Sequence, residues 1–120
     1  MQVRIITDNN IVGSDNLSSH VEGVVQNTLG RFSERITRIE VHLADENSRA
    51  KSGSNDKRCT MEARLRGLKP IVVTEQAALL DQAISVAAGT LAKTLDRTLG
   101  RLDDRKGRPP RGGEQMRLEE

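Results

Sequence analysis

Tryptophan and tyrosine are missing from the sequence, and its one aromatic residue is Phe32. Proteins that grip single-stranded nucleic acid or read unpaired loops stack bases on exposed rings. This chain has no ring to offer, because Phe32 continues an apolar helical stripe. Cysteine occurs once, at Cys59, so no intrachain disulfide can form and a reducing compartment suits the chain. No run of about 18 apolar residues exists, which excludes a membrane-spanning helix. The opening residues Met1-Gln2-Val3-Arg4-Ile5-Ile6-Thr7-Asp8 lack the long apolar stretch of a secretory signal. A cytoplasmic, soluble protein without a membrane partner is therefore expected. Charge of one sign is lacking too: 19 Lys+Arg against 17 Asp+Glu leave a net charge of +2. Any case for an anionic partner must rest on where the charges sit.

The 120 residues suit one domain, large enough to bury a core without a metal or disulfide. The apolar residues fall in periodic segments. Residues 2 to 7 predict a first strand, stopped by Asp8-Asn9-Asn10. Ser14, Asp15 and Asn16 are all suited to cap a helix. Behind them Leu17, Val21, Val24, Val25, Leu29 and Phe32 recur at steps of three and four, predicting an amphipathic helix to about Ser33. Gly23 and Gly30 weaken it by about 1 kcal/mol each if exposed, or else let it lie close to a sheet. Ile39, Val41 and Leu43 alternate with Glu40 and His42, predicting a second strand to Ala44. Asp45 to Lys57 is polar and suits a mobile hairpin loop.

Cys59, Met61, Ala63 and Leu65 then alternate with Arg58, Thr60, Glu62 and Arg64, giving a third strand. Gly67 to Pro70 makes a turn into a short fourth strand, Ile71 to Thr74. Leu80, Ile84, Ala87, Leu91, Leu95, Thr98 and Leu102 predict a long helix from Glu75 or Ala78 to Asp104. The folded domain should cover residues 1–106, and the Gly- and Pro-bearing residues 107–120 a disordered tail. The order β-α-β-β-β-α implies an α/β, or α+β, two-layer sandwich with both helices on one face of a four-stranded sheet.

Three basic groups stand in geometric register. Lys93, Arg97, Arg101 and Arg105 lie four apart on the last helix and form a ridge away from its apolar stripe. Arg31, Arg35 and Arg38 end the first helix and lead into the second strand. Arg58, Arg64, Arg66 and Lys69 belong to the third strand and its turn. Segregated arginines suit phosphate contacts. The plain alternative is a solvated surface in which Asp96 and Asp104 pair with Lys93 and Arg101. With no stacking rings, an RNA partner would have to be folded RNA, met through its shape and phosphates.

Catalysis has little to stand on. Cys59 is in phase with the inward residues of its strand, His42 is out of phase, and His20 sits beside Val21 on a helix. These form neither a metal-ligand spacing nor a nucleophile–base pair, and no phosphate-cradling glycine motif is present. No enzyme, metal or cofactor is expected.

The chain resembles the ribosome hibernation-promoting factor and protein Y family, also called sigma-54 modulation proteins. Three stretches carry the resemblance. The first is the helix from His20-Val21-Glu22 through Leu29-Gly30-Arg31-Phe32, leading into Ile36-Thr37-Arg38-Ile39-Glu40-Val41-His42-Leu43. The second is the alternating strand Cys59-Thr60-Met61-Glu62-Ala63-Arg64-Leu65. The third is Asp81-Gln82-Ala83-Ile84-Ser85, leading into Leu91-Ala92-Lys93-Thr94-Leu95. The family's Asp-x-Tyr before the Ala-Ile pair is replaced by Leu79-Leu80-Asp81, and the acid after that pair is Ser85. The resemblance is to the short form and spans about residues 1 to 106.

The resemblance implies a translation inhibitor that occupies the small ribosomal subunit where transfer and messenger RNA would lie, holding ribosomes idle under stress or in stationary phase. It implies ribosomal RNA contacts from Arg31, Arg35, Arg38, Arg64, Arg66, Lys69, Lys93, Arg97 and Arg101, with no small-molecule substrate and a monomer preferred. The competing expectation is a protein-interaction module or homodimer using the uncovered sheet face or a strand edge.

Overall fold

A computed structural model describes residues 1–8, 11, 14–45 and 56–107, the last five through their backbone. Strand β1 spans Gln2–Thr7 and helix α1 Asp15–Leu29, which passes through a single 3₁₀ turn, Gly30–Phe32, into β2 at Ile36–Asp45. Strand β3 covers Lys57–Leu65, β4 Ile71–Ala77 and helix α2 Leu80–Gly107. The strands pair in the order β1-β2-β3-β4, with β1 parallel to β2 and the other pairs antiparallel. The architecture is the expected α+β sandwich. A parallel β1–β2 pair needs a crossover, and α1 supplies it.

The core lies between one sheet face and the helices. Val21, Val25 and Leu29 of α1, Ile39, Val41 and Leu43 of β2 and Cys59, Met61 and Ala63 of β3 belong to one core cluster, all essentially buried. From α2, Ala83, Ile84, Ala87, Ala88, Leu91, Leu95 and Leu99 close the layer. Cys59 is sealed in this core, and burial pushes its thiol pKa up to about 12, so it is no nucleophile at neutral pH. The Ser14 hydroxyl caps α1, accepting from the Leu17 amide at 3.0 Å.

Several boundaries differ from those read off the sequence. Strand β4 runs on through Ala77, and α2 begins at Leu80 rather than at Glu75 or Ala78. Glu75 occupies an inward position opposite Cys59, where its carboxylate accepts from the Thr90 hydroxyl at 2.8 Å. A polar residue at an inward site disguised the strand's alternation. Strand β2 starts at Ile36, three residues early, because a register shift between Ile36 and Arg38 returns Ile36 to the core. Leu99 takes the buried place expected of Thr98 in α2, and Leu102, the last residue of the expected stripe, is only half-buried. Neither Gly23 nor Gly30 marks a close approach to the sheet: a Cβ on Gly23 would meet nothing within 4 Å.

Asp45 and Lys57 belong to strands, where Lys57 bridges Asp56 at 3.2 Å and Asp45 at 3.4 Å. These carboxylates, Asp56 foremost, raise the lysine's pKa. The rest of the expected hairpin loop (46–55) and the expected tail from 108 onward lie outside the described residues.

Candidate nucleic-acid interface

Strand direction decides where the arginines meet. β1, β2 and β4 point one way and β3 the other, so both helices run back along the sheet side by side. Two contacts fix that alignment. His20 lies 3.2 Å from Asp81 near the start of α2, and Arg31, just past α1, reaches Asp96 further down. Both helix C-termini thus point toward the sheet end where β2 begins and β3 finishes. That end also carries the Arg35, Arg38, Arg64, Arg66 and Lys69 backbone. The Arg66 amide donates to the Arg35 carbonyl at 3.3 Å, and the Arg35 amide to the Phe32 carbonyl at 2.9 Å. Gly67, at φ 71°, turns the chain between Arg66 and Lys69, a conformation that favours glycine. Cations near helix C-termini are favoured by the helix dipole.

The gathered cations nevertheless divide between two opposite faces. On the open sheet face, Arg38 is paired with Arg64 in register, and the next row pairs Glu40 with Glu62. Like charges directly opposite repel, and each arginine resolves this along its own strand. Arg38 Nη2 lies 3.0 Å from Glu40 Oε2, and Arg64 Nη2 lies 3.7 Å from Glu62 Oε1. Glu40 also faces His42 Nε2 at 3.5 Å. The Arg38 side chain is two-thirds buried, and its Nε has no hydrogen-bond partner among the described residues. Arg38 and Arg64 are thus locally neutralised.

The helix side behaves differently. Arg31 grips Asp96 with two parallel bonds, at 2.7 and 2.8 Å, and its guanidinium lies 4.2 Å from the Phe32 ring centroid. The hydrogen-bonded Asp96 raises the Arg31 pKa, and Arg31 in turn lowers that of Asp96. Asp96 therefore serves the link between the 3₁₀ turn and α2, and it does not pair with Lys93 as the solvated-surface reading supposed. Lys93, Arg97 and Arg101 are exposed on the outward side of α2, and among the described residues they have no carboxylate partner. Arg66 and Lys69 share that condition. At about 1.5 Å per residue α2 is some 40 Å long, whereas nine-residue β3 reaches about 30 Å. The helix is therefore longer than the strands it covers.

Of the nine candidates, the fold brings all to one end or to the helix leading there. It does not bring them to one surface, and Arg31, Arg38 and Arg64 are matched by carboxylates. The signals missed in the sequence were Glu40 and Glu62, each two residues from an arginine on the same strand face, and Asp96, whose partner lies 65 residues away. No group of three or more metal-ligating side chains occurs among the described residues, and none of their helices is long and apolar enough to cross a membrane.

This sandwich matches known proteins. The family model described as Sigma 54 modulation protein / S30EA ribosomal protein matches residues 5–103. The chain belongs to that family, whose members are ribosome-associated. Among solved structures, the protein Y N-terminal domain of Thermus thermophilus aligns with TM-score 0.65 at 21% identity, over 82% of this chain and 99% of that one. A ribosomal subunit interface protein from Coxiella burnetii aligns with TM-score 0.64 at 14% identity, over 83% of this chain and 99% of that one. At these identities the two structures speak to the fold. No curated protein matches the chain in sequence.

Proposed function

We propose that this protein is a cytoplasmic translation inhibitor that docks on folded ribosomal RNA of the small subunit and holds ribosomes inactive under stress or in stationary phase. The observation that carries the reading is a set of exposed cations that have no carboxylate partner among the described residues, in a chain of a ribosome-associated family. Arg66, Lys69, Lys93, Arg97 and Arg101 are the phosphate-contacting set. Arg31, Arg38 and Arg64 position the fold through their own carboxylates, and Arg35 belongs to the turn beside Arg66. The mechanism is occlusion: a rigid sandwich fills the groove and pairs with phosphates, and no bond is made or broken. It requires neither cofactor nor catalytic residue, and a single copy suffices.

The expected experiment is co-sedimentation with small subunits or whole ribosomes on a sucrose gradient at two salt concentrations. Binding should fall steeply as salt rises, because phosphate contacts release counterions. Binding that is indifferent to salt would remove this mechanism. A mass that doubles with concentration, together with no subunit binding, would favour the homodimer instead.

A further inference from the structure

Strand β4 is an edge of the sheet: β3 pairs with one side of it, and no described strand pairs with the other. It has seven residues, which is not short for an edge when strands commonly have about five or six. Ile71, Val73 and Ala77 are half-buried on the helix side, and Val72 is 57% exposed on the open face. A free, partly apolar edge of this kind is a template for another strand. A second copy of β4 fits it, because two identical edges can meet about a two-fold axis.

One residue breaks the apolar pattern. Glu75 takes the inward position between Val73 and Ala77. The Thr90 hydroxyl donates to one of its carboxylate oxygens at 2.8 Å. The other oxygen has no partner among the described residues and is not buried, so water solvates it beside the free edge. We propose that Glu75, held in place by Thr90, guards the β4 edge against pairing with a second copy of this chain.

The register of such a pair shows how the guard acts. Antiparallel pairing over the whole strand sets Ile71 opposite Ala77 of the second copy, and Glu75 opposite Val73. The two carboxylates then stand on one face, diagonal to each other at about 7–8 Å. Each loses water and gains a like charge, and β4 carries no cation to offset them. An inward-pointing charge is one of the ways in which sheet edges avoid such pairing. Lys69 and Pro70, just before the strand, add an exposed charge and a residue without an amide hydrogen.

The test is Glu75→Val in the full chain, followed by light scattering over rising concentration and by amide hydrogen exchange. The parent protein should stay monomeric, with the free-edge amides of β4 exchanging readily. The variant should dimerise at least about tenfold more tightly than the parent. Its β4 amides should gain protection as concentration rises, while those of β1 do not. If the orphaned Thr90 hydroxyl impairs folding, Glu75→Val with Thr90→Val removes both partners and should dimerise in the same way. Glu75→Gln keeps an acceptor for Thr90 without the charge, and its dimer affinity should fall between parent and Glu75→Val. Variants that stay monomeric at every concentration would overturn the proposal, as would a dimer protected at β1 or on the open sheet face instead of β4. So would a parent that dimerises as tightly as Glu75→Val, or open-ended assemblies, which pairing of β4 with β1 would build.

Discussion

The open sheet face and the outward side of α2 carry the same residue types and differ in what surrounds them. On the sheet, Arg38 and Arg64 each have a glutamate two residues away on the same strand side. On the helix, Lys93, Arg97 and Arg101 follow one another at four-residue steps with no acid in their line up to Arg101. A cation already matched by a carboxylate must lose that partner before it gains a phosphate, so only the unmatched set adds net attraction. Counting arginines therefore overstates an RNA surface, and pairing decides which of them contribute.

The sharpest way to break this contrast is charge reversal on the helix. Arg97→Glu with Arg101→Glu should weaken small-subunit binding about a hundredfold or more, since two charged contacts at about 1.5–3 kcal/mol each are lost. Circular dichroism and thermal unfolding should be nearly unchanged. On the sheet the effects should swap. Glu40→Gln leaves the two-thirds buried Arg38 and His42 without their shared anion, and should cost about 1–3 kcal/mol of stability in urea unfolding. Subunit affinity of the folded fraction should hold.

The smallest effect concerns Arg31. Its partner Asp96 has a lowered pKa in the folded protein, while Arg31 stays charged throughout. The pair's contribution is therefore fully present above the ordinary carboxylate pKa of about 3.9 and lost as pH falls through the folded value. Arg31→Ala should be the less stable protein at neutral pH, and the difference in melting temperature should close in strong acid.

Most of the fold was legible because its elements obey plain periodicities. Cys59, Met61, Ala63 and Leu65 alternate, Val21, Val25 and Leu29 step by four, and Ser14 caps. The failures were local conflicts with those periods. Glu75 put a carboxylate on the inward side of β4, where Thr90 satisfies it, and the register shift at Ile36 hid the start of β2. The candidate site was half legible. Residue spacing located the basic ridge on α2, and topology gathered the rest at one end of the sheet. Pairing across the fold, as between Arg31 and Asp96, has no signature in a linear sequence.

The most direct measurement compares salt dependence of small-subunit binding for two double variants. For Arg97→Ala with Arg101→Ala, the slope of log affinity against log salt should become shallower by about two, one for each lost phosphate contact. For Arg38→Ala with Arg64→Ala it should match the parent protein. A slope that falls with the sheet pair and holds with the helix pair would contradict the assignment of RNA contacts to the unmatched cations.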